Sequence, residues 1–216
     1  MNIKRENFVF EVNKVLKELK INVNYDINET DDKYNFLYIT KKYNQFIINI
    51  NVEKIEEKNI DVFLYHEIYH IKQYIDNFPM MILSNDNKKY EIVQKIITDF
   101  YVTNQMIIDK YSKKAVDLFR IRIANAYQNI NSLENMEDIF RIAYILAEAE
   151  IFFKKNCKKR VLELRRRFLK GNCRKIYEII LKEYKVNDIK EMYKKLIEEI
   201  DDNVKIDIFN NNILII

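Results

Sequence analysis

The segment Asp61-Val62-Phe63-Leu64-Tyr65-His66-Glu67-Ile68-Tyr69-His70-Ile71 decides how this chain folds. Its apolar side chains recur around most of a helical wheel, which predicts a helix over residues 61–76 that is buried on most sides. His66 and His70 are the two histidines of the chain. Because residues four apart project from one face of a helix, both imidazoles can reach the same point.

The sequence before this helix predicts a further helix and a small sheet. Residues 6–19 carry apolar side chains at helical spacing. Residues 36–39 and 45–50 are apolar runs on either side of a short polar turn, as in a β-hairpin. Alternation over residues 21–25 predicts a third strand. We therefore expect a small antiparallel sheet packed on the histidine-bearing helix.

Nearly all of the sequence after this helix is predicted to be helical. One glycine and one proline in 216 residues favour long helices, and they exclude Gly-rich phosphate-binding loops. Pro79 ends the first stretch, and Ser84–Asn87 is predicted to be a turn. Helical spacing then covers six segments: 89–111, 113–128, 134–153, 155–170, 173–185 and 188–201. The tail over residues 204–216 returns to strand-like sequence.

These patterns predict an α+β fold that is predominantly α-helical. We expect a core over residues 1–112 and, over residues 113–216, a helical region with a basic face and short C-terminal strands. Hydrophobic residues make up 48% and charged residues 32%, which is typical of a globular protein. No apolar run reaches the roughly 18 residues needed to cross a bilayer. With a charged N-terminal sequence, a cytoplasmic location away from membranes is expected.

The two histidines belong to the HExxH pattern His66-Glu67-Ile68-Tyr69-His70. Neutral imidazole is a natural zinc ligand, and a catalytic zinc site adds a third protein ligand and keeps one position for water. Glu67 is turned by about 100° from His66 around the helix, so its carboxylate can accept a proton from that water. The pattern predicts Zn2+ bound by His66 and His70, with Glu67 as the catalytic base. The alternative is two half-buried histidines beside a Glu67 salt bridge.

A hairpin followed by this motif resembles the zincin metallopeptidases, over about residues 33–105. The resemblance implies a small twisted sheet, the HExxH helix and a second helix with a further zinc ligand. It also implies hydrolysis of peptide bonds in a peptide or protein substrate. The longer HExxHxxGxxH pattern is absent, because Gln73 and Asp76 occupy its later positions and no third histidine exists. The third ligand is then expected to be a carboxylate.

Two carboxylates on the next predicted helix are candidates for this third ligand. Asp99 lies inside an otherwise apolar run, where an unpaired carboxylate is costly and a zinc ion would remove the cost. It also precedes Asn104, as in the ligand helix of some metallopeptidases that the chain resembles. Glu91 matches the thermolysin-like spacing better, but Lys95 replaces the Asp expected four residues later. Asp99 is the favoured assignment, and Glu91 is the alternative.

The later helices offer weaker candidates. Glu148 and Glu150 lie beside small alanines that could let a carboxylate approach a metal, although an ordinary helix surface is the simpler interpretation. Hydrolysis in zincins also uses a donor to the oxyanion. Tyr127, Arg141 and Tyr144 are candidates that the sequence does not rank.

Residues 154–175 contain eleven Lys or Arg side chains and one acid, Glu163. Such a cluster attracts phosphates without reading base sequence, which makes nucleic acid a candidate partner. A solvated helix face is the simpler interpretation. Two other functions therefore remain open beside the peptidase: a zinc-stabilised module without catalysis, and a helical nucleic-acid binder whose HExxH pattern is accidental.

Overall fold

The structure is a computed structural model that describes residues 5–31, 36–43, 45–82, 89–130 and 132–215. Over these ranges it is an α+β protein, mainly helical, with eight α-helices and two three-stranded sheets. The predicted fold class is therefore confirmed. The turn predicted at Ser84–Asn87 lies outside the described residues, as do Asn44 and Ile216.

The chain forms two compact units, each built from two segments. The first unit comprises Met1–Asp76 and Gln105–Lys114, and the second comprises Asn77–Asn104 and Ala115–Ile216. The boundary predicted near residue 112 is not tested by this grouping and stays a prediction.

The first unit contains helix α1 (Arg5–Glu18), strands β1 (Tyr25–Glu29), β2 (Leu37–Lys42) and β3 (Gln45–Ile50), and helix α2 (Ile60–Ile75). The sheet order is β1-β3-β2. β2 and β3 pair antiparallel as the hairpin predicts, but β1 pairs parallel with β3, so the predicted antiparallel sheet is mixed. β3 is the most apolar of the three strands and takes the buried central position, which leaves the more polar β1 and β2 at the edges.

Helix α2 is buried on most sides, as its sequence predicts. Nine of its sixteen residues are buried: Ile60, Val62, Leu64, Tyr65, His66, Ile68, Tyr69, Ile71 and Gln73. It contacts α1 and β2 within the first unit. The helix ends before Pro79, because Asn77 adopts a left-handed conformation with φ of 53°.

The second unit is a helical assembly with a small sheet. Its helices are α3 (Glu91–Ile108, whose last turn belongs to the first unit), α4 (Ser112–Asn129), α5 (Met136–Ile151), α6 (Lys158–Phe168), α7 (Gly171–Val186) and α8 (Ile189–Glu198). The six predicted helical segments are thus confirmed with shifted ends. The N-cap side chains of Asn135 and Asp188 accept backbone hydrogen bonds and fix the starts of α5 and α8.

The tail contains the two predicted strands, β5 (Ile206–Phe209) and β6 (Asn212–Ile215), and they pair as a hairpin, which the sequence did not predict. β6 also pairs parallel with β4 (Met81–Ile82). A strand of two residues is too short to give a periodic pattern, which is why the sequence did not predict β4. No helix in the described part of the chain is long and apolar enough to cross a membrane.

Candidate metal centre

His66 and His70 face the same point from successive turns of α2. Their Nε2 atoms lie 3.2 Å apart, and the two rings are nearly perpendicular at 85°. Two imidazoles that bind one tetrahedral zinc at about 2.05 Å have their nitrogens roughly 3.3 Å apart. The observed separation is close to this value, and it is also the distance of a hydrogen bond between the two rings.

Glu67 completes a group of three ligand-type side chains in the first unit. The ligand atoms of His66, Glu67 and His70 all lie within 4.8 Å of one another. The Glu67 Oε1 atom is 3.9 Å from His66 Nε2, too far for a direct hydrogen bond. His66 is buried, whereas Glu67 and His70 are half-buried. A carboxylate beside the two ring nitrogens is suitably placed to accept a proton from a bound water.

Gln73 orients His70 from the next turn of α2. The Gln73 carboxamide oxygen accepts a hydrogen bond of 3.0 Å from His70 Nδ1. A proton held on Nδ1 leaves the Nε2 lone pair available to a metal. Side chains that accept a hydrogen bond from a metal-binding histidine usually have this role. Gln73 is buried, so the orientation is held away from bulk water.

Three polar anchors hold α2 in place within the first unit. Asp109 Oδ2 accepts hydrogen bonds from Tyr69 Oη at 2.9 Å and from Lys72 Nζ at 2.8 Å. Lys114 Nζ bonds Asp61 at 2.5 Å, and the Tyr65 hydroxyl donates to Glu18. Burial raises the pKa of Asp109, but hydrogen bonds from Lys72, Tyr69 and Gln105 outweigh it and hold the pKa below its ordinary value.

The predicted carboxylate ligands lie on α3 in the second unit. Asp99 is half-buried, and its Oδ2 atom accepts from the Arg122 guanidinium at 3.3 Å. Glu91 is exposed in the first turn of α3, where an acid suits the helix dipole. The assignment of Asp99 as the third ligand, with Glu91 as its alternative, stays a prediction.

Arg122 joins Asp99 to a second carboxylate, Glu148, which is fully buried. Glu148 Oε1 accepts hydrogen bonds from Thr103 Oγ1 at 2.7 Å, Tyr144 Oη at 2.8 Å and Arg122 at 3.1 Å. The Oε2 atom accepts none from the described residues. Burial raises the pKa of Glu148, although the charge of Arg122 opposes this rise. The expectation that Glu148 lies on an ordinary helix surface is therefore wrong.

The other weak candidates pair with charged groups of the second unit. Glu150 is half-buried and forms ion pairs with Arg165 and Lys154. The candidate oxyanion donors also bond to carboxylates: Tyr127 to Glu163, Arg141 to Glu137, and Tyr144 to Glu148.

Gln73, Asp109 and Arg122 were not predicted from the sequence as parts of these two regions. Gln73 could have been found, because it lies three residues after His70 and side chains at this spacing meet on a helix. Asp109 and Arg122 had no comparable signal. Their partners are 37 and 26 residues away in the chain, and single-sequence patterns do not report such pairs.

Comparison with known proteins gives a partial relative. The chain is 29% identical over 139 residues to the phenylalanine–tRNA ligase beta subunit of Mesoplasma florum. This match covers 60% of the chain but 17% of that subunit. No known protein family matches the chain, and no solved structure matches it. A match of this extent establishes no family, so the metal centre is argued from its own geometry.

Proposed function

We propose that this protein is a zinc-dependent metallopeptidase of the zincin type, with His66 and His70 as zinc ligands and Glu67 as the general base. The 3.2 Å separation of the two Nε2 atoms, with a carboxylate beside them, is the observation that carries the proposal. Asp99 is the proposed third ligand on sequence grounds. A cytoplasmic location belongs to the proposal and is supported by the free thiols of Cys157 and Cys173.

The chain's own residues divide the work of hydrolysis between them. Zinc bound here would supply a Lewis acid and lower the pKa of a water molecule. Glu67 accepts the proton as the water attacks the peptide carbonyl, and then delivers it to the leaving amine. Gln73 keeps the His70 ring in the orientation that presents Nε2. Buried apolar residues of α2 flank the motif, whereas Glu67 and His70 are half-buried and so remain reachable from solvent.

Cleavage of a complex peptide mixture tests this function without knowledge of the substrate. Zinc-loaded protein is incubated with peptides from a digested proteome, and new termini are detected by mass spectrometry. We expect cleavage that a zinc chelator abolishes and that Glu67→Gln reduces by about 10²–10⁴-fold, the usual contribution of a general base. Asp76→Asn removes an exposed carboxylate from the end of the same helix and should leave cleavage unchanged.

The outcome of this experiment separates the peptidase from a zinc-stabilised module. Cleavage that is equal in the parent and in Glu67→Gln would contradict the mechanism. A zinc-loaded parent that cleaves nothing would favour the module, in which zinc serves folding alone. Asp99→Asn and Glu91→Gln distinguish the two candidate third ligands. We expect Asp99→Asn to weaken zinc binding and Glu91→Gln to leave it unchanged.

A further inference from the structure

The positive charge of this chain is concentrated in one segment of the second unit. Residues 154–175 carry eleven basic side chains and one acid, whereas the formal net charge of the whole chain is +4. The segment therefore has a formal charge of +10, and the remainder of the chain has −6. An asymmetry of this size creates a local field that attracts anions.

Internal ion pairs use only part of this charge. Lys154 and Arg165 pair with Glu150, Arg174 pairs with Glu178, and Lys175 pairs with Glu199. Six exposed cations of the segment form no ion pair with any residue that the structure describes: Lys155, Lys158, Lys159, Arg160, Arg166 and Lys170. Arg160 lies over the ring of Tyr127, 6.0 Å from its centroid, and the other five side chains are available to a partner.

Helix α6 presents several of these cations on one face. Leu164 and Phe168 are buried and fix the inner side of the helix. Lys159 and Arg166 lie on the opposite side, because a step of seven residues returns to the same face. Lys158 lies about 100° around the helix from Lys159, on the side that carries Arg165. The only acid of the segment, Glu163, accepts a hydrogen bond of 2.9 Å from the Tyr127 hydroxyl. The solvent face of α6 is thus a basic strip about two turns long.

A recess lies at the N-terminal end of this strip. It has a volume of about 270 Å³. Its charged and polar lining is Lys154, Lys158, Arg165, Asn156 and Glu150, and the rest of its lining is apolar: Ala149, Phe153, Val161 and Leu162. Lys154 and Arg165 pair with Glu150, which leaves Lys158 as the cation without an ion pair among these lining residues. The recess therefore extends the positive charge of the strip toward the turn before α6.

We propose that the solvent face of α6 and the turn before it bind the phosphate backbone of a nucleic acid without reading its base sequence. An anionic membrane surface is less suitable, because an interfacial helix needs a broad apolar face. On the described solvent face of α6, Leu162 is the one large apolar side chain that is exposed. The proposal does not depend on the metal centre, and it is tested separately from peptidase activity.

Fluorescence anisotropy with the whole 216-residue chain tests this surface. The probes are a labelled DNA duplex of mixed sequence and a labelled single-stranded RNA, which separate duplex from single-strand binding. We expect log Kd to depend linearly on log salt concentration with a slope of about 3 to 5, as several phosphate contacts require. Lys158→Gln/Lys159→Gln/Arg166→Gln should weaken binding at least tenfold and reduce the slope by about 3.

The matched control removes three exposed lysines from another part of the second unit. Lys182→Gln/Lys185→Gln/Lys194→Gln makes the same change in net charge on α7 and α8 and should change the affinity less than threefold. Equal losses in both triple variants would overturn the proposal, since binding would then follow net charge alone. A parent chain that binds neither probe at low salt would also overturn it, and binding only to phosphatidylserine vesicles would assign the face to membranes.

Discussion

Two regions of the molecule contain partly or fully buried side chains of the types that bind metals. They differ in how the cost of burying these polar groups is offset. On α2, His66, Glu67 and His70 bring nitrogen and oxygen acceptors within 4.8 Å of one another. In the second unit, Glu148 and Asp99 share the guanidinium of Arg122. The first arrangement suits an added cation, whereas the second already contains a cation supplied by the chain.

This difference between the two regions shows that a buried carboxylate alone is weak evidence for a metal site. Asp99 was predicted to bind zinc because an unpaired carboxylate in an apolar run needs a counter-charge. Arg122 provides that counter-charge at 3.3 Å, so burial alone no longer argues for zinc at Asp99. Two histidines four residues apart, with Gln73 bonded to one ring, are a more specific sign of a metal site.

The largest effect is expected from removing the cation of the second region. Arg122→Met leaves Glu148 buried beside Asp99 with no positive partner among the contacts described for it. Breaking a buried ion pair costs about 3–5 kcal/mol. We therefore expect the free energy of unfolding, measured by chemical denaturation at neutral pH, to fall by this amount. Arg120→Met is the matched control, because Arg120 is exposed on the same helix and, among the described residues, pairs only with Asp117. Its expected cost is below about 1 kcal/mol.

The pH dependence of the Arg122→Met variant sharpens this test. Burial already raises the pKa of Glu148 above its ordinary value of 4.5, and losing Arg122 raises it further. The folded state then binds its proton more tightly than the unfolded state, so stability falls as pH rises from 4.5 through the raised pKa. The cost of the variant should shrink as pH falls toward 4.5. A cost that does not change with pH would contradict a charge-based role for Arg122.

An intermediate effect is expected from the partner of His70. Gln73→Leu removes the acceptor for His70 Nδ1, and loss of such a partner weakens metal binding by about 10–100-fold. Competition with a chromophoric chelator measures the zinc affinity. Gln128→Leu makes the same exchange at an exposed position of α4 and should have no effect. Unchanged affinity in Gln73→Leu would show that Gln73 does not orient the ring.

The smallest effect is expected at Asp109, a half-buried carboxylate that anchors α2. Asp109→Asn weakens hydrogen bonds to a charged group and should cost about 1–2 kcal/mol of unfolding free energy. Because its pKa is lowered, the stability it contributes is present above 3.8 and is lost as pH falls through the lowered value. The difference from the parent should therefore narrow in acid. Asp76→Asn serves as the exposed control, and an equal loss there would contradict the anchoring role.

Local patterns predicted the elements of this fold better than their pairing. The spacing of apolar residues located α2 and the hairpin to within a few residues, because both depend on short-range periodicity. The parallel pairing of β1 with β3 was not predictable, since β2 separates them in the chain. The same limit applies to the candidate sites. His66 and His70 are close in sequence and were found, whereas Arg122 lies 23 residues from Asp99 and was missed.

Zinc content of the purified 216-residue chain tests the central claim most directly. Elemental analysis should find about one zinc per chain in the parent and in Asp76→Asn, because both retain the two ring nitrogens that lie 3.2 Å apart. His66→Ala should lose the metal. A parent chain that is free of zinc, and that still takes up none when zinc is supplied, would contradict the metal centre.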